Sequence, residues 1–339
     1  MKKYSKKHID HLKRKSKRGN AKKRKTTTNR KIVTNDAKNH KKDKRRFRAT
    51  PKVISAPSVF KLDYINCEQA ISYVNLLKAI SLKFEYIEID LGSVNEIGEG
   101  AISMLLSVIE DLGSNTRIQG TYPDNLIAKG ILEKSGFFRY MTKRGGQSNV
   151  ESKNTILTKG VFDTPPDGMA EEVRASMKTV WGTEGRNPLL YGGIFEMIRN
   201  SCDHAFRKSS QVKWYLSITH LDDDNKVKFS FVDNGKGIVK TLSTGPLKSF
   251  LNIFRDNADI IDSAFKNGIE SRTGLSWRGK GLPTIYELFE DNTVENLVVI
   301  ANNTYLDFAS GKKMQLTNPY SGTYYYWEVS ENCDKYCFN

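Results

Sequence analysis

Four polar side chains with reactive groups fall on one face of a predicted helix at 191–206. The segment reads YGGIFEMIRNSCDHAF, and helical spacing puts on that face Glu196, Asn200, Asp203 and His204. Carboxylates and imidazoles move protons, and carboxylate and amide oxygens bind hard cations. The opposite face is apolar. An ordinary amphipathic surface helix has the same pattern, so this helix alone leaves both interpretations open.

Two glycine motifs follow this helix, and each suits a nucleotide-like ligand. DNGKGI at 233–238 comes directly after a predicted strand, where alternate glycines let a ligand approach and Asp233 can accept a hydrogen bond from an exocyclic amine. RGKG at 278–281 leads into a predicted helix. Free backbone N–H groups, the helix dipole and flanking cations make such a turn a phosphate cradle. Each motif alone is also typical of an ordinary loop.

The apolar periodicity predicts the elements that hold these motifs. Helical spacing indicates helices at 168–181, 191–206 and 284–289. Alternation indicates strands at 211–220, 226–233, 294–301, 305–308 and 322–329. The acidic run at 222–225 is expected to be a hairpin loop rather than a metal site.

The three motifs occur in a fixed order, and a Gly-Thr pair follows in the last strand. On these features, residues 165–330 resemble the GHKL ATPase superfamily, which includes histidine-kinase catalytic domains, gyrase-type, Hsp90-type and mismatch-repair ATPases and anti-sigma-factor kinases. The first motif looks most like that of the anti-sigma-factor kinases. The resemblance implies a Bergerat-type fold, a two-layer α/β sandwich with ATP between the helices and the sheet.

The resemblance implies a role for each motif. Asn200 would hold the Mg²⁺ that bridges the phosphates, Glu196 would act as general base, and Asp233 would accept from the adenine amino group. Residues 240–277 would form a mobile lid. The other implied ATP contacts are Asp203 in the helix, Gly235, Gly237 and Ile238 after Asp233, Arg278, Gly279, Lys280, Gly281 and Leu282 in the phosphate cradle, and Thr323 in the last strand. His204 either belongs to this pattern or bonds to the domain's own backbone.

Residues 50–145 predict a smaller α/β domain. Strands at 52–60, 86–91 and 116–120 alternate with helices at 67–80, 101–112 and 125–140. The stretches 87–94, 97–106 and 132–138 resemble a STAS domain, the fold of bacterial anti-sigma-factor antagonists. That family carries a phosphorylated Ser or Thr before its central helix, whereas the turn here reads NEIGEG and has no hydroxyl. Residues 146–164 are expected to be a linker, and 331–339 a loose tail.

The positive charge of the chain is concentrated at its N-terminus. The first 50 residues contain 22 Lys or Arg and 3 Asp, whereas the remaining 289 contain 32 basic and 35 acidic residues. Residues 1–48 have almost no apolar side chains and are expected to be a disordered arm. Its charge predicts binding to a polyanion, with nucleic acid favoured and an anionic membrane surface or no partner as alternatives.

Composition also predicts the compartment. No run of 18 apolar residues could span a membrane, and the N-terminus lacks the apolar region of a signal peptide. The four cysteines are scattered and are expected to be free thiols, although Cys333 and Cys337 are spaced so that they could bind metal or pair. A cytoplasmic protein is the resulting expectation.

These expectations give one main hypothesis: a Mg-dependent ATP-binding regulatory protein. It would be an ATPase or nucleotide switch that couples ATP to the STAS-like domain and a partner, such as a STAS protein or a sigma or anti-sigma regulator. The alternative is a serine/threonine kinase of the partner-switching type. A sensor histidine kinase is disfavoured because no paired-helix segment with a His precedes the ATP domain. An inert scaffold or nucleic-acid-binding module is disfavoured because the motif residues are intact.

Overall fold

A computed structural model describes residues 50–112, 116–137, 155–160, 168–204, 213–243, 256–268 and 281–335, with only the backbone at 155–160, 203–204 and 243. The chain divides into two compact units, Met1–Thr50 and Pro51–Asn339. The arm predicted at 1–48 lies outside the described residues, and so do most of the predicted linker and residues 336–339 of the predicted tail. The prediction of a loose tail is wrong for 331–335, because Cys333 is buried and the N–H of Asp334 donates to the Asn292 carbonyl at 2.9 Å. All the described residues after Thr50 belong to the second unit.

Eight α-helices lie in the described part of the chain. They are α1 (Cys67–Ser81), α2 (Glu99–Asp111), α3 (Leu126–Lys134), α4 (Met169–Trp181), α5 (Pro188–His204), α6 (Ile238–Ser243), α7 (Asn257–Lys266) and α8 (Gly281–Glu290). A short 3₁₀ turn, Asp222–Asp224, forms the predicted hairpin loop. The α/β class expected from the sequence is confirmed by the mixture of these helices with parallel and antiparallel sheets.

The described strands form three sheets. They are β1 (Lys52–Ser55), β2 (Val59–Phe60), β3 (Tyr86–Asp90), β4 (Glu96–Ile97), β5 (Arg117–Gly120), β6 (Thr155–Gly160), β7 (Trp214–Leu221), β8 (Lys226–Asp233), β9 (Glu295–Asp307) and β10 (Lys312–Ser330). One sheet is parallel, in the order β1-β3-β5, and β2 pairs with β4 in a second. The third is antiparallel, in the order β6-β7-β8-β10-β9.

Both faces of the five-stranded sheet are buried, and successive side chains alternate between two cores. In β7, Trp214 and Leu216 face the core formed with α4, α5, α7 and α8, whereas Tyr215 faces the other core. In β10, Tyr325 and Tyr324 divide in the same way. A strand buried on both faces has a nearly continuous apolar sequence, which explains the run WYLSITHL in β7.

The second face of this sheet is covered by helices from the N-terminal part of the unit. Helix α1 contacts β10, and α2 contacts β7 and β8. Every residue of α2 from Gly100 to Ile109 is buried, because the helix packs on other elements all around. A Cβ at Gly100 would overlap the Tyr324 hydroxyl, so glycine permits the close approach of α2 to the sheet. The division of the chain near 146–164 stays a prediction, since one core joins residues from both sides of it.

Several boundaries differ from those expected. Strand β6 lies inside the predicted linker, where a six-residue TILTKG stretch pairs with β7 between turn-forming residues that hid it. The strands predicted at 294–301 and 305–308 are one strand, β9, because Asn302 continues the chain at a positive φ of 56° without ending the pairing. Strand β10 begins at Lys312, ten residues before the predicted 322. Its pairing with β9 continues through register shifts between Gln315 and Thr323. Helix α3 ends at Lys134 rather than at 140.

Candidate functional site

Helix α5 places the first motif against the helical core. Asn187, just before the helix, accepts a hydrogen bond on Oδ1 from the N–H of Leu190 at 2.9 Å, which satisfies one donor of the first turn. Gly193 faces α8, and a Cβ there would overlap the side chain of Leu288. The two helices therefore pack more closely than any larger residue at 193 allows. This packing fixes the distance between α5 and the start of α8.

The first and third motifs meet at the start of α8. Gly281 is the first residue of α8, and a Cβ built on it would lie 2.9 Å from both Glu196 Oε2 and Asn200 Oδ1. The structure thus brings together a carboxylate, an amide and a helix N-terminus, as the sequence predicts. Free N–H groups at a helix N-terminus favour anions, and a carboxamide oxygen favours a hard cation.

Two atoms of this group are buried without a hydrogen-bond partner among the described residues, Glu196 Oε2 and Asn200 Nδ2. The other carboxylate oxygen of Glu196 lies 3.4 Å from Arg199 Nη1. Leaving a buried polar atom unpaired costs about 1–3 kcal/mol, so such atoms indicate a place where a ligand can supply the missing bond. These atoms fit a polar ligand between α5 and α8.

Asp233, at the end of β8, is 3% exposed and is surrounded by donors. Its Oδ1 accepts from the N–H of Gly235 at 2.8 Å and from the N–H of Thr323 at 3.2 Å, and its Oδ2 accepts from Ser201 Oγ at 2.8 Å. Burial raises the pKa of the Asp233 carboxyl, and these hydrogen bonds oppose the increase. The carboxylate therefore has a fixed orientation. Its Oδ1 already accepts two of these bonds and Oδ2 accepts one, so a further donor would bind at Oδ2.

The backbone of Asp233 is held as firmly as its side chain. The Tyr320 hydroxyl donates to the carbonyl oxygen of Asp233 at 3.0 Å. Thr323 is the strand partner of Asp233, and Gly322 beside it has a φ of 138°. A Cβ at Gly322 would overlap the carbonyl oxygen of Asp233, so glycine is needed where β10 passes the end of β8.

Ser201 and Asn302 are two supporting residues that the sequence did not reveal. Ser201 is buried on α5 and reaches Asp233, so a Ser within the apolar stripe of a helix was the available signal. Asn302 donates through Nδ2 to the Lys236 carbonyl at 2.9 Å and accepts on Oδ1 from the N–H of Val239 at 2.9 Å. Its side chain occupies the position of a Cβ at Gly237, whose φ is 77°. Asn302 therefore braces the glycine loop that follows Asp233.

Some of the other residues predicted to contact ATP are described in the structure, and some are not. Gly235 is buried beside Asp233, Ile238 begins α6 in the helical core, and Leu282 packs against the same core. Asp203 and His204 belong to α5 by their backbone, but their side chains lie outside the described set. The phosphate-cradle residues outside the described residues are Arg278, Gly279 and Lys280.

Part of the predicted lid is fixed to the rest of the unit. Helix α7, within 240–277, buries Ile261 and Phe265 in the helical core. Lys313 of β10 makes ion pairs with Asp259 at 3.3 Å and Asp262 at 2.9 Å on this helix. Helix α7 is therefore packed in the folded unit, and its movement as part of a lid stays a prediction. The two segments that flank it, 244–255 and 269–280, lie outside the described residues.

Within the described ranges, no group of three or more His, Cys, Asp or Glu side chains could hold a metal ion. A Mg²⁺ bound mainly by phosphates and water needs few protein ligands, and Asn200 Oδ1 can supply one. The helices of the described part include none with the length and apolar character of a membrane span.

Comparison with known proteins identifies no family for this chain. Neither a family model nor a curated protein matches the chain. The resemblances to GHKL ATPases and STAS domains therefore stay predictions.

Proposed function

We propose that residues 165–330 form a GHKL-type Bergerat domain that binds ATP with Mg²⁺. The observation that carries the proposal is the convergence of Glu196, Asn200 and Gly281 from two helices. Two buried polar atoms at this point, Glu196 Oε2 and Asn200 Nδ2, have no partner within the described residues. The N-terminus of α8 and the preceding RGKG turn would receive the phosphates. Asn200 would contribute an oxygen ligand to the Mg²⁺ between them.

The adenine base would bind at the second motif, which follows β8. The Asp233 carboxylate, oriented by donors from three directions, would accept a hydrogen bond from the adenine amino group. Thr323 would lie beside the same ring edge. Asp203, Arg278, Gly279 and Lys280 keep their expected places as ATP contacts on the strength of the motif alone.

We further propose that ATP is hydrolysed, with Glu196 as the general base, and that the nucleotide state acts as a switch for a protein partner. Phosphoryl transfer needs mainly positioning and charge stabilisation, which these residues provide. The alternative is a protein serine/threonine kinase of the anti-sigma type. Phosphorylation of the chain's own STAS-like turn is disfavoured, because the turn NEIGEG has no hydroxyl to accept the phosphoryl group.

The partner would be a STAS or a sigma or anti-sigma regulator, and the basic arm at 1–48 would bind a polyanion such as nucleic acid. Cys67, Cys202 and Cys333 form no disulfide among the described residues, which accords with the proposed cytoplasmic location. A chain starting at residue 50 should lose retention on heparin at moderate salt, because the arm carries the excess positive charge. Equal retention of the two proteins would exclude the arm as the polyanion site.

Binding of a fluorescent ATP analogue tests the proposal directly. The full chain should bind the analogue with Mg²⁺ and lose binding when EDTA is added. Asp233→Ala should abolish binding, whereas Asp291→Ala, which removes an acid outside the site, should not. Tight binding by the Asp233→Ala protein would refute the site assignment. With ATP labelled at the γ-phosphate, free phosphate indicates hydrolysis, and label retained on an added STAS protein indicates the kinase alternative.

A further inference from the structure

The C-terminal half of α2 lies beside the glycine loop of the proposed nucleotide site. Asp111, the last residue of α2, accepts a hydrogen bond from Asn234 Nδ2. Asn234 stands between Asp233 and Gly235, and its Oδ1 is buried with no partner within the described ranges. The bond to Asp111 therefore orients this amide. A carboxylate at a helix C-terminus opposes the helix dipole, so Asp111 is unfavourable for α2 itself.

A second connection runs through Tyr320. The Tyr320 hydroxyl donates to the carbonyl of Asp233 at 3.0 Å and lies beside Ser107 of α2, whose own hydroxyl donates to the Met104 carbonyl at 2.7 Å. Ser107 and Tyr320 are both almost fully buried. Ser107 and Asp111 are four residues apart and so lie on the same face of α2. One face of this helix therefore lies beside Tyr320, which bonds to the backbone of Asp233, and bonds directly to the side chain of Asn234.

Helix α1 fixes the chain just before Tyr320. Glu68 accepts from the N–H of Thr317 at 2.7 Å, and Asn75 donates to the Pro319 carbonyl at 3.0 Å. These bonds hold the part of β10 where its pairing with β9 shifts register. The position of Tyr320 therefore depends on α1 and α2. Its hydroxyl in turn positions the carbonyl of Asp233.

We propose that Tyr320 and Asp111 are positioning residues for the nucleotide loop, through which α1 and α2 set the orientation of the Asp233 carboxylate. The inference rests on the proposed ATP site and adds residues outside the motifs to it. Neither side chain is among the proposed contacts of the base. Their effect is on Asp233, so they determine how well adenine is distinguished from a base that lacks the amino group at that position. Because coupling is reciprocal, bound ATP would in turn stabilise the contact with α2.

Selectivity between fluorescent ATP and GTP analogues provides the test, since general destabilisation does not change it in a defined direction. Tyr320→Phe removes one hydroxyl and keeps the ring, so it should lower the ratio of ATP to GTP affinity about fivefold, the equivalent of one hydrogen bond. Tyr324→Phe is the matched control, because Tyr324 is buried on the same face of β10. It should leave the ratio unchanged.

Asp111 is tested in the same assay. Asp111→Ala should lower the ratio, whereas Asp111→Asn keeps an acceptor oxygen and should preserve it. An unchanged ratio in Tyr320→Phe, or an equal change in Tyr324→Phe, would overturn the role of Tyr320. An unchanged ratio in Asp111→Ala would overturn the role of α2. Failure of the wild-type chain to bind either analogue would instead refute the proposed function, and this inference with it. Melting temperatures identify any variant that fails to fold.

Discussion

Among the described residues, Glu196 is held by one ion pair rather than by a closed network of bonds. One oxygen lies near Arg199, and the other is buried and unpaired next to Gly281. Its side chain is 19% exposed. A carboxylate in this state can accept a proton from water or from a hydroxyl, because its free oxygen points to the place where a ligand would complete the site.

Glu196→Gln should therefore separate binding from chemistry. The amide has nearly the same size but cannot accept a proton, so ATP hydrolysis should fall about 100-fold or more while analogue affinity stays close to that of the wild type. Glu287→Gln is the matched control, because Glu287 is an exposed acid on α8. Phosphate release and analogue titration provide the two measurements. Hydrolysis that survives in Glu196→Gln would show that another group acts as the base.

At Asp233, the ionised carboxylate that ATP binding needs is unfavourable for the stability of the fold. Burial raises the pKa of its carboxyl in the folded protein above the ordinary value of 3.8. The native state then holds this proton more tightly than the unfolded chain does. Its contribution to stability is present below the ordinary pKa and is lost as the pH rises through the higher folded pKa.

Asp233→Asn should consequently have a higher melting temperature than the wild type at pH 7. The two melting temperatures should differ less at pH 3.5, where the wild-type carboxyl is protonated. The amide keeps an acceptor for the N–H groups of Gly235 and Thr323. The same variant should lose the ATP analogue, because it offers a donor where adenine also donates. Thermal melts at the two pH values provide the measurement. A lower melting temperature at pH 7 would contradict the argument.

At the scale of elements, the spacing of α5 and α8 determines whether the motif residues meet. Gly193 lies against Leu288, whereas Gly192 next to it has open space within 4 Å of a Cβ position. The two adjacent glycines of one helix therefore have opposite roles. Only Gly193 controls the distance between Glu196 on α5 and Gly281 on α8.

Gly193→Ala should lower the stability by about 1–3 kcal/mol, the usual cost of overpacking, and should weaken ATP binding because the helices move apart. Gly192→Ala should be neutral or stabilising by up to about 1 kcal/mol, since alanine favours the helix. Chemical denaturation measures both. Equal effects of the two substitutions would show that the contact with Leu288 does not limit the packing.

On the scale of the whole unit, the N-terminal layer is part of the hydrophobic core of the five-stranded sheet. Tyr215, Val232, Ile300 and Tyr324 face α1 and α2 and are buried only while those helices are present. A separate ATP-binding domain would expose this face to water. Exposed apolar patches of that kind promote association.

A fragment that begins at residue 151 should therefore bind a hydrophobic dye and aggregate, whereas residues 51–339 should unfold cooperatively. Dye fluorescence and size-exclusion chromatography distinguish the two outcomes. A monomeric, cooperatively folded fragment would show that the contacts of α1 and α2 with the sheet are dispensable. In that case, residues 146–164 would separate independent domains, as the sequence predicts.

The amino-acid sequence by itself determined the class of fold, most helices and strands, and the acid-amide face of α5. These features depend on local periodicity and on turn residues, which the chain shows directly. It also determined the order of the motifs, because alternate glycines after a strand and before a helix have a local backbone function. The edge strand β6 was not predicted, because its six residues are too few to show a clear alternation of apolar and polar side chains.

Only the tertiary structure decided which residues meet. Glu196 and Gly281 are 85 positions apart, and their contact depends on close packing of α5 on α8 at Gly193. The bonds of Ser201, Tyr320 and Asn302 to the Asp233 loop arise from long-range packing of elements on both faces of one sheet. Such contacts leave no periodic signal, because one buried polar residue reads as an interruption of an apolar stripe. Their partners can be identified only after the sheet and helices are assembled.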